Sequence, residues 1–580
     1  MAWYDEAVFY HIYPLGLTGA PKENSYGEPV HRLNTLLPWI SHIKKIGCNA
    51  IYIGPLFESV GHGYETTDYK KLDSRLGTNE DLTNFVAECH KQGIRVILDG
   101  VFNHTGRDFF AFQDLKKNRE NSPYKDWYCN VNFWGNNSYN DGFSYENWGG
   151  YDLLVKLNQH NPAVRDYICD VIRFWVSEFD IDGIRLDAAD VMDLNYMKAL
   201  RQVANEVKPE FWLMGEVIHG DYSRWANEGT LHSVTNYMLH KALYSGHNDH
   251  NYFEIAHTIK YVSGMVGDKL KLYSFVDNHD VERIYTKLNN KAHYVPVHIM
   301  LYTLPGVPSL YYGSEFGIEG KKERFSDDSL RPALNYEDYK DAVETNPCTK
   351  LIAALGKIRQ NTPALCYGDY KELLLQTTHF AYARTLDGKS VIVTVNNADN
   401  EVSMELPAGN SAEYVGALSG ERLGVNNGRI SVKVAANSGE IWISAELCTE
   451  TFAPVKTVEI VKAPQPEKKE EELSKESDCA GENQTEDMHD TCEEESVLEK
   501  VQDTVNTETV VRTQPTEKKT EPEKVTVDWS KSYEDMTVEE LQEAILEKMR
   551  RNGPVTDYML GTVRDNTHHG SLVNWVKSFR

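Results

Sequence analysis

The sequence predicts an α/β fold, a (β/α)8 TIM barrel, on two main observations. Short runs of β-branched and aromatic residues alternate with longer segments whose apolar residues recur at helical spacing. Eight such units favour a closed barrel over a doubly wound sheet. The predicted strands are VFYHIY (8–13), NAIYIG (49–54), RVILDGVF (95–102), GIRLDA (183–188), WLMGEV (212–217), SVTNY (233–237), LYSFVD (272–277) and SLYYG (309–313).

The segments between these strands have the pattern of amphipathic helices, with one exception. NEDLTNFVAECHKQG and NPAVRDYICDVIRFWVSEF both repeat their apolar residues every three or four positions. Residues 104 to about 156 break this rhythm, because they are rich in Asn, Gly, Tyr and Trp and too long for a simple βα loop. We interpret this interval as an excursion over the mouth of the barrel after strand three.

The net charge argues against some classes of binding partner, and the cysteines indicate the redox state of the compartment. The formal net charge of −27 argues against nucleic acid or an anionic membrane surface as a partner. The N-terminal MAWYDEAVFYHIYP has acidic residues where a signal peptide would be basic, and no apolar run is long enough to span a bilayer. Nine cysteines without a CxxC pair or metal-ligand spacing are typical of free thiols. We expect a cytoplasmic protein.

The composition changes abruptly after residue 448. Residues 449–530 are dominated by Glu, Lys, Thr and Pro, a composition that predicts a disordered acidic linker. Order is expected to return in a small helical module at 531–580, where Thr537 and Glu540 form a capping box. An apolar stripe, a helix stop and a second helical piece follow at Leu541, Ile545, Met549, Gly553, Pro554, Leu572, Trp575, Val576 and Phe579. The module either docks on an unidentified protein partner or on the barrel, or has no separate role.

Polar residues collect at the predicted strand ends, where a barrel of this type places its active site. They are Asp99, Asn103 and His104 after strand three, Arg185 and Asp187 at strand four, Glu216 at strand five, and His279 and Asp280 at strand seven. Each has an alternative: Arg185 with Asp187 alone suits a structural ion pair, a carboxylate can cap a helix, and a histidine can be a satisfied hydrogen-bonding residue. Their coincidence on four strand ends favours a catalytic site.

The segments DGVFNH, GIRLDAAD, GEV and FVDNHD, in this order, resemble the four signature regions of the α-amylase superfamily of retaining glycoside hydrolases (family thirteen). HGYETTDY, KLN and GVPSLYYGSEFG also match. The resemblance covers residues 1 to about 448. It implies a catalytic barrel at 1–365, the excursion as domain B (about 104–156) and a C-terminal β-sandwich at 366–448, for which KSVIVTVNN and GEIWISA are independent strand signals.

The resemblance also implies the role of each site residue. Retaining hydrolysis needs two carboxyl groups about 5 Å apart. Asp187, kept anionic by Arg185, matches the nucleophile, and Glu216, whose pKa burial should raise, matches the acid/base. Asp280 matches the third carboxylate, which holds and distorts the sugar. His104 and His279 would hydrogen-bond that sugar, Tyr64 would stack beneath it, and Asp99 would support Arg185.

Details of the sequence indicate which branch of the family the chain resembles. LLVKLN is nearest to the MPKLN form of the neopullulanase, cyclomaltodextrinase and intracellular α-amylase group, although Val155 replaces the proline. The chain begins directly at strand one, so we expect no dimer built on the extra N-terminal domain of that group. Asp190 and Val191 replace the Lys-His of many secreted α-amylases, which weakens the case for their calcium site. Asn103 suits either a calcium ligand or a loop-fixing amide, and the metal content stays unknown.

The expected activity is hydrolysis of α-1,4-glucosidic bonds in maltodextrins, starch fragments or glycogen, with no cofactor required for the chemistry. Gly61 stands where the α-glucosidase branch carries a pocket-closing Asp, so we expect internal cleavage. Trp127, Trp134 and Trp148 suit sugar platforms or the core of domain B. The alternatives are a 4-α-glucanotransferase, a neopullulanase- or cyclomaltodextrinase-like enzyme, and a non-catalytic glucan-binding relative, against which the intact carboxylates argue.

Overall fold

A closed parallel barrel forms the centre of the protein, and all eight predicted strands are confirmed. The computed structural model describes residues 2–267, 270–324, 326–453, 455–462, 531–533, 536–552 and 576. The barrel strands are β1 Phe9–Ile12, β2 Ala50–Ile53, β3 Arg95–Gly100, β4 Gly183–Leu186, β5 Trp212–Gly215, β6 Ser233–Val234, β7 Tyr273–Phe275 and β8 Val307–Tyr311. They pair in the order β6-β5-β4-β3-β2-β1-β8-β7, and a parallel bridge from Thr235 to Tyr273 closes the ring.

Helices surround the barrel in the expected alternation, with one departure after β5. The longer helices are α1 Leu37–Lys45, α2 Asn79–Lys91, α3 Pro162–Phe179, α4 Leu194–Val207, α5 Tyr237–Asn248, α6 Tyr252–Val266, α7 Tyr294–Thr303 and α8 Pro347–Asn361. Shorter helices span Pro14–Leu17, Phe110–Asn118, Ile284–Lys287, Tyr336–Tyr339, Ala342–Thr345 and Pro363–Tyr367. Only the 3-10 turn Tyr222–Arg224 lies between β5 and β6. The segment between those strands is therefore a loop, which leaves the residues after Glu216 near the barrel rim.

The barrel interior is packed at the N-terminal ends of its strands. Phe9 and Trp212, the first residues of β1 and β5, stack with ring centroids 5.1 Å apart. Tyr273, the first residue of β7, meets Phe9 edge-on at 5.6 Å. This buried cluster fills the lower barrel, so only the C-terminal end remains open as a cup.

The excursion after β3 starts and ends on one antiparallel stem. The strand His104–Thr105 pairs with Tyr151–Lys156, with His104 opposite Lys156, and Asn147–Trp148 adds a third strand. A separate hairpin, Phe57–Ser59 with Thr66–Leu72, follows β2. The stem holds the excursion at the strand-three end of the cup.

The region after the barrel is a β-sandwich, as expected. Its strands are β9 Asp369–Leu375, β10 His379–Leu386, β11 Lys389–Asn396, β12 Val402–Pro407, β13 Glu413–Gly416, β14 Arg422–Gly424, β15 Arg429–Val434 and β16 Ser438–Ser444. One sheet has the order β9-β10-β11-β16-β13-β14, and β12 pairs with β15 opposite it. Ile392, Leu406 and Trp442 are among the buried residues between the two layers.

The predicted linker begins later than the sequence indicates. Residues 457–461 form a short helix, Thr457–Val461, inside the range 449–530. Ile460 is fully buried, and the Tyr285 hydroxyl donates a hydrogen bond of 2.9 Å to its carbonyl oxygen. The prediction that the disordered linker begins at residue 449 is therefore wrong, because residues 457–461 form this helix. The rest of the predicted linker, 463–530, lies outside the described residues.

The chain divides into two compact units, Met1–Gly481 and Glu482–Arg580. In the second unit the helix Val538–Asn552 forms where the sequence predicts it, and the capping box is present: Thr537 N donates to Glu540 Oε2 at 2.8 Å, and Glu540 N donates to Thr537 Oγ1 at 3.2 Å. Leu541 and Ile545 of the apolar stripe are buried. Gly553, Pro554 and most of the second helical piece lie outside the described residues. Over the described ranges, no helix has the length and apolarity needed to cross a bilayer.

Candidate active site

The predicted site residues lie at the open end of the barrel. Asp99 is near the end of β3, Arg185 lies in β4, and Asp187 and Glu216 directly follow β4 and β5. Asp99 and Arg185 are register partners in the β3–β4 pair, so their side chains emerge at one level. Gly54, next to them, has no room for a side chain, since a Cβ there would lie 2.3 Å from the Asp99 Cβ.

One guanidinium connects three carboxyl groups of the site. Arg185 Nη1 donates to Asp99 Oδ1 at 2.8 Å and to Asp187 Oδ1 at 2.9 Å, and its Nη2 lies 2.7 Å from Glu216 Oε2. Arg185 is only 3% exposed. Such charge-assisted contacts are strong and fix the partners in place. The sequence analysis pairs Arg185 with Asp187 and Asp99, and the structure adds the contact with Glu216.

Asp187 and Glu216 influence each other's ionisation. Desolvation raises the pKa of Asp187 well above its ordinary value, Arg185 opposes this and the charge of Glu216 adds to it. Desolvation also raises the pKa of Glu216, again against Arg185 and together with the charge of Asp280. Because each carboxylate disfavours ionisation of its neighbours, the pair retains one proton to higher pH than isolated carboxyl groups would. The raised pKa of Glu216 agrees with the sequence-based expectation, whereas the raised pKa of Asp187 runs against the expectation that Arg185 keeps Asp187 anionic.

Asp280 has the opposite electrostatic setting. Its Oδ1 accepts a hydrogen bond of 2.8 Å from Arg331 Nη2, and its Oδ2 lies 3.0 Å from His279 Nε2. Desolvation acts against the charged form, but His279 and Arg331 hold the pKa of Asp280 well below its usual range. The cup therefore contains one carboxylate that stays ionised beside a pair that shares a proton.

Tyr64 connects the two halves of the site. Its hydroxyl donates to Asp99 Oδ2 at 3.1 Å and lies 2.5 Å from His279 Nε2. Its ring is nearly parallel to the His279 imidazole, with centroids 5.7 Å apart. Direct contacts thus join Tyr64, Asp99 and His279 to the carboxylates on both sides of the cup.

This geometry coincides with a family match over most of the barrel. Residues 23–364 match the family described as "Alpha amylase, catalytic domain". The chain belongs to the α-amylase family. It is therefore a glycoside hydrolase, and the resemblance drawn from the four motifs is confirmed.

Named relatives and solved structures lie in the same family. The "Cyclomaltodextrinase" of Thermoanaerobacter pseudethanolicus is 32% identical over 422 residues, which cover 69% of this chain and 71% of that protein. "Neopullulanase 2" of Thermoactinomyces vulgaris is 28% identical over 465 residues, covering 76% and 78%. A solved structure from Thermus thermophilus superposes with a TM-score of 0.67 at 29% identity, covering 77% of this chain and all of its own.

Four residues of this α-amylase site were missed by sequence reasoning. Tyr52 donates to Asp99 Oδ2 at 2.8 Å, Tyr237 donates to Glu216 Oε1 at 3.4 Å, and Asn278 donates to the Tyr237 hydroxyl at 3.1 Å. The fourth is Arg331, the partner of Asp280. Asn278 stands inside the FVDNHD motif, and Tyr52 and Tyr237 stand in or next to predicted strands, which are usable signals. Arg331 lies in a loop with no local pattern.

His104 is placed to support Tyr64. Its Nε2 donates to the Tyr64 carbonyl oxygen at 3.1 Å, and its Nδ1 accepts from Asn103 Nδ2 at 3.3 Å. Burial lowers its pKa to about 4, so the ring is neutral at pH 7. A hydrogen bond from His104 to sugar, which the resemblance implies, would have to displace one of these protein contacts.

Asn103 acts as a loop-fixing amide in this structure. Its Oδ1 accepts a hydrogen bond of 3.0 Å from Gln159 Nε2, and its backbone carbonyl accepts from Leu157 N at 3.0 Å. The described residues contain no cluster of three His, Cys, Asp or Glu side chains that could hold a metal ion. Asn103 Oδ1 therefore serves the contact with Gln159 in this structure.

The loop at Gly61 folds over a buried carboxylate. Glu65 accepts hydrogen bonds from the backbone N–H groups of Gly61, His62 and Gly63 at 3.1–3.4 Å. A Cβ at position 61 would lie 3.1 Å from Glu65 Oε1, so an acidic side chain there would meet both crowding and like charge.

The three tryptophans of the excursion have different environments. Trp127 is buried against Tyr124 and Tyr167 and belongs to the core. Trp134 is 98% exposed, and Trp148 lies 5.8 Å from the His104 ring. Of the three, only Trp127 has the environment of a core residue.

Proposed function

We propose that this enzyme is a retaining α-1,4-glucan hydrolase with Asp187 as nucleophile and Glu216 as general acid and base. The observation that carries the proposal is the contact of both carboxyl groups with the single Arg185 guanidinium. The shared guanidinium brings the two carboxyl groups close together, and a retaining enzyme needs them about 5 Å apart, one for attack and the other for proton transfer. The name of the cyclomaltodextrinase relative supports the choice of α-1,4-glucan as substrate.

The proposed reaction starts with the proton of the pair on Glu216 and with Asp187 ionised. The Asp187 carboxylate attacks the anomeric carbon, the bond from that carbon to the glycosidic oxygen breaks, and the proton of Glu216 passes to the departing oxygen. Water then attacks the anomeric carbon, Glu216 takes a proton from it, and the bond to Asp187 breaks. The sugar leaves with retained configuration, and both carboxyl groups return to their starting protonation states.

The remaining residues bind and distort the reacting sugar. Asp280, held ionised by Arg331 and His279, offers a carboxylate to sugar hydroxyls and stabilises positive charge at the ring in the transition state. Tyr64 presents a half-buried ring at the cup, beside His279. Asp99 accepts from the same Nη1 of Arg185 as Asp187 does and helps to hold the guanidinium in place.

We further propose internal cleavage of maltodextrins, starch fragments or glycogen in the cytoplasm, without a required metal. Gly61 supports an open cleft, because an acid there would crowd Glu65 Oε1, 3.1 Å from the Cβ position, and would face its like charge. The use of the Asn103 oxygen by Gln159 supports calcium independence. The free thiols at Cys48, Cys89, Cys129, Cys169, Cys348, Cys366 and Cys448 support a reducing compartment.

A product profile from maltoheptaose over the first few per cent of conversion tests the proposal, with Asp187→Asn as the blank. A spread of intermediate maltooligosaccharides supports internal cleavage, and glucose with maltohexaose alone refutes it. NMR of the first products tests the retaining mechanism, which requires the α-anomer to appear before mutarotation. Activity that survives Asp187→Asn would overturn the assignment of the nucleophile.

A cyclomaltodextrinase-like or neopullulanase-like preference is the second candidate, favoured by the names of the relatives. Parallel rates on a cyclic maltodextrin, pullulan and linear maltoheptaose distinguish these preferences. Products longer than the substrate would instead indicate a glucanotransferase.

A further inference from the structure

We propose that Tyr237 is a positioning residue that orients the Glu216 carboxyl group by donating a hydrogen bond to Oε1, and that Asn278 sets the direction of this hydrogen bond. The inference rests on the proposed role of Glu216 as general acid. It concerns two residues that lie behind the carboxylates, at the start of α5 and in the loop after β7.

The amide of Asn278 has only one orientation that satisfies its neighbours. Its Oδ1 accepts hydrogen bonds from the backbone N–H groups of Asp280 at 2.8 Å and Val281 at 3.1 Å. A flipped amide would point its N–H groups at those two donors. Nδ2 therefore faces Tyr237 and donates to its hydroxyl oxygen at 3.1 Å.

This donation decides where the Tyr237 hydrogen points. Since the hydroxyl oxygen already accepts from Asn278, the hydroxyl hydrogen is directed to Glu216 Oε1, 3.4 Å away. The phenol ring is fixed edge-on against Phe275, with centroids 5.0 Å apart, and Tyr237 is only 5% exposed. The chain of donors thus runs from Asn278 through Tyr237 to Glu216.

The other oxygen of Glu216 is closed to a proton. Oε2 lies 2.7 Å from Arg185 Nη2 and accepts from the Ala188 backbone N–H at 3.2 Å. A proton on Oε2 would oppose both donors, so the acid proton resides on Oε1. There the oxygen accepts from Tyr237 while its own hydrogen is available to the departing glycosidic oxygen.

The Tyr237 hydrogen bond should strengthen as Glu216 loses its proton. A hydrogen bond to the charged form of an acid favours that form and lowers its pKa. Removal of the hydroxyl therefore raises the pKa of Glu216 and weakens it as a proton donor. The defect should appear only when the leaving group needs protonation.

The test compares Tyr237→Phe with the parent enzyme on two substrates. Maltoheptaose needs acid assistance, whereas fluoride leaves α-maltosyl fluoride without it. We expect kcat/KM on maltoheptaose to fall about tenfold, while kcat/KM on α-maltosyl fluoride changes less than about twofold. The alkaline limb of the kcat/KM profile should move to higher pH, because the pKa of Glu216 rises. Equal losses on both substrates, or an unmoved alkaline limb, would overturn the inference.

Two further variants test the direction and the specificity of the effect. Asn278→Asp keeps an acceptor for the two backbone N–H groups but gives the Tyr237 hydroxyl a competing acceptor. It should therefore show the same loss confined to maltoheptaose. Tyr285→Phe is the matched control, since it also removes a buried tyrosine hydrogen bond, 2.9 Å to the Ile460 carbonyl, outside the site. It should leave both substrates unaffected, and a loss on maltoheptaose alone in this control would contradict the proposal.

Glu216→Gln separates failure of this inference from failure of the proposed function. Its loss should also fall mainly on maltoheptaose. If Glu216→Gln loses activity equally on both substrates, the assignment of Glu216 as acid is wrong and the inference falls with it. If Glu216→Gln discriminates between the substrates and Tyr237→Phe does not, only the role of Tyr237 is refuted.

Discussion

Replacement of Arg185 by methionine should destabilise the enzyme in a way that depends on pH. Arg185 is 3% exposed and contacts Asp99, Asp187 and Glu216. Removing one partner of a buried ion network costs about 3–5 kcal/mol. At about 2 °C per kcal/mol, the low end for large domains, the smaller figure lowers the unfolding midpoint by roughly 6 °C.

The direction of the pH dependence follows from the lost cation. Arg185 lowers the pKa of both Asp187 and Glu216, so Arg185→Met raises both folded-state pKa values further above those of the unfolded chain. A carboxyl group with a raised folded-state pKa binds more protons in the native state, and stability therefore falls as the pH rises. The penalty should be small near pH 4, below which both carboxyl groups are protonated in either state, and larger at pH 8.

Differential scanning calorimetry of both proteins at pH 5 and pH 8 measures this effect. Arg359→Met is the matched control, because Arg359 is fully buried but donates to the carbonyl oxygens of Tyr302 and Gly306, both at 2.6 Å. The control should lose stability by the same amount at both pH values. If Arg185→Met loses the same stability at both pH values, the explanation that the Arg185 cation stabilises the ionised forms of Asp187 and Glu216 is refuted.

Three further outcomes are expected. Treatment with EDTA should change neither the rate on maltoheptaose nor the unfolding midpoint, and recovery on adding Ca²⁺ would contradict calcium independence. Tyr64→Phe should lower kcat/KM by about tenfold or more, because it removes the hydroxyl contacts to Asp99 and His279. An unchanged value would show that these contacts do not contribute to catalysis. Ile460→Ala should lower the free energy of unfolding by roughly 2–4 kcal/mol and make the chain after residue 448 sensitive to limited proteolysis, with kcat unchanged. The control is Val458→Ala, because Val458 is 57% exposed, and it should change neither stability nor proteolysis.

The barrel could be predicted because its elements are locally encoded. Most strands are apolar or aromatic runs, and most long helices repeat their apolar residues on one face, although α7 is buried on all sides. The late start of the linker could not be predicted, since Ile460 is a single apolar residue in a polar segment. Its carbonyl oxygen accepts a hydrogen bond from Tyr285, which is 175 positions away in the chain. Composition describes what a segment can bury by itself and does not report on such a distant surface.

The sequence predicts the site residues that lie in motifs, but not the partners that only the fold brings next to them. The motifs identify Asp187, Glu216 and Asp280, and their assignment to catalytic roles stays a prediction. The partners that set their protonation are distant in sequence: Arg331 lies 51 positions from Asp280, and Tyr237 lies 21 positions from Glu216. Only the closure of the barrel brings these residues together, so local patterns could not pair them.

The shared guanidinium determines how mutants of this site must be interpreted. Asp99, Asp187 and Glu216 all contact Arg185. When one of the three is neutralised, the positive charge of Arg185 acts more strongly on the other two. Loss of activity in a single variant therefore reports a rearranged network as well as a missing group. Roles can be separated only by measurements that respond to one step, such as leaving-group dependence for the acid or product anomer for the nucleophile. Asp280 differs, because Arg331 and His279 supply its charge partners. Its charge nevertheless raises the pKa of Glu216, so its neutralisation should lower that pKa.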